Sequence, residues 1–296
     1  MKIQFLAMHT LMHSVARIVI LAILTFSGFL VSAQQYGASS PKVMIIPFDP
    51  YLYFSDADEQ LAKYNNKSIK EVRTLFRYGL NINVNAKILA LYETRPLLTD
   101  TAKGASEDLY NIYKNISYFK DNSMPSPEMK KEMEAQSRKK GFRIFSAPEE
   151  STEAHTSSRL KLPDEKQKEY INVKIHNNAM LQYLRKKYGT DLFVFINQFD
   201  LVTNYEHCLD RATNTFERDI KVHFSIFDYT GKQLAGDVAI VHFPSSTNDI
   251  TEIMKNNFPV ISEYLTGNLP KNYKANQPTR PSEEKVDSEV MEFEDN

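Results

Sequence analysis

Between Asp49 and Glu59 the chain sets four carboxylates, Asp49, Asp56, Asp58 and Glu59, among three aromatic residues, Tyr51, Tyr53 and Phe54. Hard oxygen donors this close together could hold a divalent cation. Beside aromatic rings they could instead bind a small ligand, with Asp49, Tyr51, Tyr53, Asp56, Asp58 and Glu59 as the candidate set. The plainer reading is that Asp56 or Asp58 caps a helix while the rings pack over a sheet edge. No glycine turn, EF-hand spacing or phosphate loop accompanies the acids, so no residue is given a catalytic role and no metal or cofactor is expected.

The other chemistry-bearing residues are sparse. His207 and Cys208 are adjacent, so on a strand they face opposite ways and lack the second pair a structural zinc site needs. His223 and His242 fall on neighbouring strands about five residues out of register, too far for a shared metal. Gly-x-Ser-x-Gly, His-Glu-x-x-His, phosphate-loop and dinucleotide signatures are all missing, and nine glycines leave little material for nucleotide-cradling loops. Cys208 is the single cysteine, which rules out an intramolecular disulfide. Among the 16 tyrosines and 18 phenylalanines most belong to the core by spacing, while Phe142 and Phe145 form an island suited to contact with a partner.

Charge excludes one class of partner. The 296 residues carry a formal net charge of -1, without the basic footprint of a nucleic-acid-binding domain. Residues 1–33 read as a signal peptide. Lys2 and Arg17 are their only charges, an apolar run follows from Ile18 to Leu30, and Val31-Ser32-Ala33 supplies small residues for cleavage before Gln34. Removing Lys2 and Arg17 leaves 34 basic against 37 acidic residues, a formal charge of -3. With no cysteine at the cleavage site there is no acceptor for a lipid. The expectation is an exported, non-lipidated protein, periplasmic or associated with an outer membrane, with no direct membrane insertion after cleavage.

The elements that must position these residues follow an α/β order. Lys42-Val43-Met44-Ile45-Ile46-Pro47 is a compact apolar strand ended by proline. From Ile69 to Leu91 apolar residues recur every three or four positions, predicting one long helix, although Leu80–Asn85 also alternates with period two. A second helix is predicted over 106–119, capped by Ser106. Residues 121–168 shift to Lys, Glu, Ser, Pro and Met and read as a mobile polar insertion, with a helical piece near Glu128–Arg138. Tyr170–Ile175 alternates like a strand, and a helix over 177–187 ends at Gly189 as its C-cap.

A three-stranded antiparallel meander comes next. Leu192–Ile196 is apolar throughout and belongs inside the sheet. Arg218–Asp228 alternates, Ile220, Val222, Phe224 and Ile226 against Lys221, His223 and Ser225, so one of its faces is wetter. Gly231 turns the chain into Gln233–Val241. Ser246, Thr247 or Asn248 caps a last helix that Pro259 should kink or end. The domain thus comprises 34–120 and 169–266, and 267–296 is an acidic tail without a fold of its own.

This order resembles the small α/β domain of bacterial envelope proteins such as the curli-secretion lipoprotein, the penicillin-binding-protein activator lipoprotein and the N-terminal domain of the translocation protein TolB. Lys42–Phe48 is similar to that family's opening strand, Tyr188–Phe195 to its turn into the meander, and Ile226–Gly231 to its hairpin. The lipidating cysteine and a membrane-inserting hairpin are missing here. The resemblance implies a non-enzymatic module whose partners are other envelope proteins. Two readings follow: an exported protein-binding or assembly-accessory module, or an exported hydrolase or ligand- or cation-binding domain using the cleft after the first strand. If Asp49, Asp56 and Asp58 converge on one concave site, the second gains; otherwise the first does.

Overall fold

The structure, a computed structural model, describes residues 41–141, 169–271 and 273. The expected signal segment, the stretch containing Phe142 and Phe145, and the tail beyond 273 lie outside the described residues.

The fold is α/β, built on a mixed six-stranded sheet. Strand β1 (Lys42–Ile46) lies parallel between β3 (Glu93–Pro96) and β6 (Leu192–Asp210), with Val43 opposite Leu192 and Ile46 opposite Phe195. Short β2 (Tyr53–Ser55) continues the line of β1 along β6, pairing with Phe199–Leu201. Strands β6, β7 (Thr215–Asp228) and β8 (Gln233–Pro244) form the antiparallel meander. The apolar run of β6 is buried on both faces, as its composition requires. At the β7–β8 turn Asp228 accepts from Thr230 N, Thr230 Oγ1 and Lys232 N, and Gly231 takes φ 86°. That left-handed conformation is what the glycine supplies.

One face of the sheet carries α1 (Asp58–Tyr64), α2 (Ile69–Leu89) and α6 (Ile250–Gly267). Val72, Phe76, Leu80, Val84 and Ile88 of α2 meet Val43, Ile45, Val194, Phe199 and Val222 of the sheet. Helical periodicity wins over the period-two rival because Val72, Phe76, Leu80, Val84 and Ile88 share one buried face, and two of the three asparagines find partners. Asn83 donates to the Gly79 carbonyl at 2.9 Å, and Asn85 accepts from Thr94 of β3 at 2.7 Å. A capping box between Ser68 and Glu71 starts the helix.

Helix α6 differs from expectation in its cap, and of the two effects expected of Pro259, a kink or an end, the helix does not end there. Its cap is Asp249, which accepts from Thr251 N and Glu252 N, rather than one of the three residues before it. It also runs through Pro259 to Gly267. Proline removes the hydrogen bond to the Lys255 carbonyl, but Lys255 and Pro259 are both exposed, so water can take that carbonyl.

On the other face Met44, Ile46, Phe193, Phe195 and Phe227 pack against α3 (Ala105–Lys114), α5 (Ala179–Tyr188) and a separate two-stranded ribbon, β4 (Ile116–Asn122) with β5 (Glu169–Ile175). The second helix therefore stops at Lys114, and Gly104 stands at its cap where Ser106 was expected. Residues 116–119 are strand because Ile116 and Tyr118 also alternate with period two and find Ile175 and Val173 across the ribbon.

Part of the polar stretch expected to be mobile, from Asp121 to Met133, packs on the fold. Met124 exchanges both backbone hydrogen bonds with Gly236, at 2.7 and 2.9 Å, covering part of the β8 edge. Helix α4 (Pro127–Gly141) follows. Ser126 N donates to Asn268 Oδ1, and Met129 is buried with the α6 residues of the main core.

Candidate functional site

The four carboxylates after β1 go to four different places. Asp49 caps the 3-10 turn at Pro50–Leu52 by accepting from Tyr51 N, and Tyr51 is 89% exposed. Asp56 accepts from Thr203 N at 2.9 Å and Thr203 Oγ1 at 3.1 Å, tying β2 to β6. Asp58 is buried, takes the Tyr53 hydroxyl at 2.7 Å and pairs with Arg73 at 2.8 Å. Burial, and next that hydrogen bond, push the Tyr53 phenol well above its ordinary range. Glu59 points into solvent in the first turn of α1. Among the described residues no group of three or more His, Cys, Asp or Glu side chains could hold a metal ion.

In open α/β sheets, ligands bind beyond the carboxyl ends of the strands, where the chain order switches sides. Here side chains fill that crevice. Arg77 Nε donates to the Phe48 carbonyl at 2.9 Å, Arg77 Nη2 donates to the Tyr113 hydroxyl at 2.8 Å, and that hydroxyl donates to the Pro47 carbonyl at 2.8 Å. Phe48, Tyr53 and Phe199 stack below. The four carboxylates therefore do not converge on this cleft.

A groove of about 320 Å³ lies elsewhere, on the wetter face of the meander beside the ribbon. Its lining comes entirely from strands: Lys120 of β4, Glu169 to Ile171 of β5, Gln198 and Asp200 of β6, Lys221 and His223 of β7, and Val238 and Ile240 of β8. Its geometry begins with a β-bulge at Asn197, the extra residue between the pairs Ile196–Phe224 and Gln198–His223. The bulge aims Asn197 at β5, where its Nδ2 donates to the Ile171 carbonyl at 2.7 Å. The Ile171 N–H donates to His223 Nδ1 at 3.0 Å. Both peptide groups of Ile171 are therefore held by side chains of the main sheet.

That contact sets the histidine tautomer. Nδ1 accepts, so the proton sits on Nε2 and is donated to Asp200 Oδ2 at 3.2 Å, while Asp200 Oδ1 accepts from Gln198 at 2.8 Å. Neither ring nitrogen keeps a free lone pair for proton abstraction. The His–Asp pair docks β5; it is not arranged for general-base catalysis. The seam continues inward as Ser225 Oγ donates to Asn172 Oδ1 at 2.6 Å and Asn172 Nδ2 donates to Asp121 and Gln233, both at 2.9 Å. Burial pushes the Tyr170 phenol at its end up to about 12. Sequence reasoning missed this seam; the alternation of Lys221, His223 and Ser225 was its only trace.

His223 faces Val238 and His242 faces Asp219 across the β7–β8 ladder, so the two imidazoles are separated along the strands. His207 instead pairs with buried Glu217 at 3.1 Å, and Cys208 is exposed. Both lie on a ribbon formed where β6 and β7 run on past the body of the sheet. Tyr205 at 67% and Leu209 at 46% exposure stand on it, and the Tyr205 ring meets Phe216 edge-on at 5.3 Å. Beyond Thr203 no strand among the described residues pairs with the outer edge of β6.

Compared with protein-family profiles, curated proteins and solved structures, the chain matches none.

Proposed function

We propose that this chain is an exported, non-enzymatic envelope module that binds other proteins, the sheet domain serving as platform and the β6–β7 ribbon as a contact surface. One observation carries the reading: a ribbon whose outer edge is unpaired among the described residues, with two large exposed apolar side chains, Tyr205 and Leu209, on a body whose buried acids are mostly engaged in structural bonds. Exposed apolar residues on an open strand edge favour strand addition by a partner or contact with its surface. Export rests on the composition of residues 1–33, and the envelope setting on the resemblance of the element order.

The test is a crosslinking pull-down from the native envelope fraction with three forms of the mature protein: intact, Tyr205→Ser with Leu209→Ser, and a deletion of 142–168 that spares α4. Partners recovered by the intact chain and lost with the double substitution support the ribbon. Recovery unchanged by the double substitution but lost on deletion moves the surface to the deleted stretch. No recovery by any form removes the main support for the proposal.

A further inference from the structure

Strand β5 is held at Ile171 by a bond that only an uncharged histidine can accept. His223 Nδ1 takes the Ile171 N–H at 3.0 Å with the one lone pair of the ring, while Nε2 carries the proton given to Asp200. A second proton enters the ring at Nδ1, and there it turns the acceptor into a donor that faces a donor. Asp200 belongs to β6, so its bond to the ring does not depend on β5. What β5 adds is the Ile171 N–H and part of the burial of the imidazole, and both favour the neutral form. Undocking β5 therefore leaves a ring that binds a proton more readily, and by linkage docking weakens as pH falls.

The charges around the ring leave that sign in place. Asp200 of β6 and Lys221 of β7 stand beside it, with Lys120 of β4 and Glu169 of β5 across the groove, so the acids and lysines of the lining balance. Asp237 of β8 interacts electrostatically with His223 from the main sheet, and Asp121 of β4 is turned to Asn172. Tyr170, its phenol raised to about 12, stays neutral through the range in which histidines ordinarily titrate.

We propose that His223 is a proton-operated latch on β5: protonation frees the Glu169–Ile171 end of the strand and uncovers the apolar contact of Tyr170 with Val238 and Ile240. Asn197 alone then holds Ile171, through its carbonyl. Asn172, bound to Ser225 and Gln233, is the hinge at which the release stops.

Amide exchange of the full chain, corrected for intrinsic rates, is compared at about pH 7.5 and about pH 5, beside nuclear magnetic resonance of the ring nitrogens to show which carry protons. Protection at Ile171 falls by about tenfold or more at the lower pH as Nδ1 takes its proton, while Val194 in the central strand is unchanged. His223→Asn sets a carbonyl oxygen near the place of Nδ1 and cannot titrate, so Ile171 keeps its protection at both pH values. A ring that stays neutral at the lower pH overturns the latch. So does a protonated ring with Ile171 still protected, or a His223→Asn variant that loses protection in acid as the parent does. Equal loss at Ile171 and Val194 is unfolding of the whole domain and overturns it as well.

Discussion

The Tyr264 hydroxyl donates to Asp237 Oδ2 at 2.6 Å, and the carboxylate that receives it is only 1% exposed. Ser123 Oγ at 2.6 Å and Val238 N at 2.8 Å take the other oxygen, so a helix, an edge strand and the segment leading to α4 meet on one carboxyl group. Burial pushes the Asp237 pKa above the ordinary carboxylate range, against the pull of its three hydrogen bonds.

A raised folded-state pKa fixes the sign of a pH dependence. The native chain holds the Asp237 proton more tightly than the unfolded one, so the group's contribution to stability is full below the unfolded pKa and is lost as pH rises through the folded value. Asp237→Asn removes that loss. Urea denaturation at several pH values should show the Asp237→Asn variant gaining on the parent as pH rises; a constant difference would contradict the assignment. Asp237→Ala leaves Ser123 and Tyr264 without their acceptor and should cost about 1–3 kcal/mol.

Asp56 and Asp58 should separate cleanly. Asp56→Ala removes hydrogen bonds in an exposed setting and should cost about 1 kcal/mol or less, without loss of partner recovery. Asp58→Ala strands the buried Tyr53 hydroxyl and should cost about 1–3 kcal/mol. Chemical denaturation measures both, and loss of all function in a folded Asp56→Ala protein would revive a site at this cleft.

Gly236→Ala should destabilise by about 1–3 kcal/mol, because a methyl group there overlaps the Tyr170 hydroxyl and Gln233, which have a shared hydrogen bond to keep. Substituting Tyr170→Phe in the same chain should recover part of that loss, which a thermal melt of the double variant would register.

The Asp108 carboxylate accepts from the Tyr188 hydroxyl, from Lys187 at 2.8 Å and from Tyr183 at 3.3 Å, joining α3 to α5. Burial, then the Asp108 hydrogen bond, raise the Tyr188 phenol to about 12. Asp108→Asn should bring that phenol down and cost about 1 kcal/mol of stability, seen in a spectrophotometric tyrosine titration beside a melt.

What the sequence made legible is what local pattern encodes. The β1 run, the long periodicity of α2, the meander and its Asp228–Gly231 turn are each written in adjacent residues, and each is where the pattern put it. Ile116–Asn122 was hidden because helical and strand periods overlap at Ile116 and Tyr118. Docking of 121–126 was hidden for another reason. Ser123 meets Asp237 114 positions along the chain and Ser126 meets Asn268 142 positions along, and no local signal records such pairings. The candidate acids illustrate the converse: Asp49, Asp56 and Asp58 are close in sequence but each is engaged by a different donor, while Glu59 faces solvent.

The parallel seam between β1 and β6 also sets an order of events. Lys42 and Asp191 meet across 149 positions, so the seam cannot close until nearly two thirds of the chain is available, whereas β6, β7 and β8 need only their own turns. Long-range parallel pairing is slow for this reason. We expect the meander and α6 to assemble first and β1 to arrive last, which pulsed hydrogen exchange would register as late protection at Val43–Ile46. During that interval Val43-Met44-Ile45-Ile46 has β3 on one side only and presents an open apolar edge on the other, the kind of segment that aggregates. A cell making this protein then has a reason to shield its beginning until its end has been delivered.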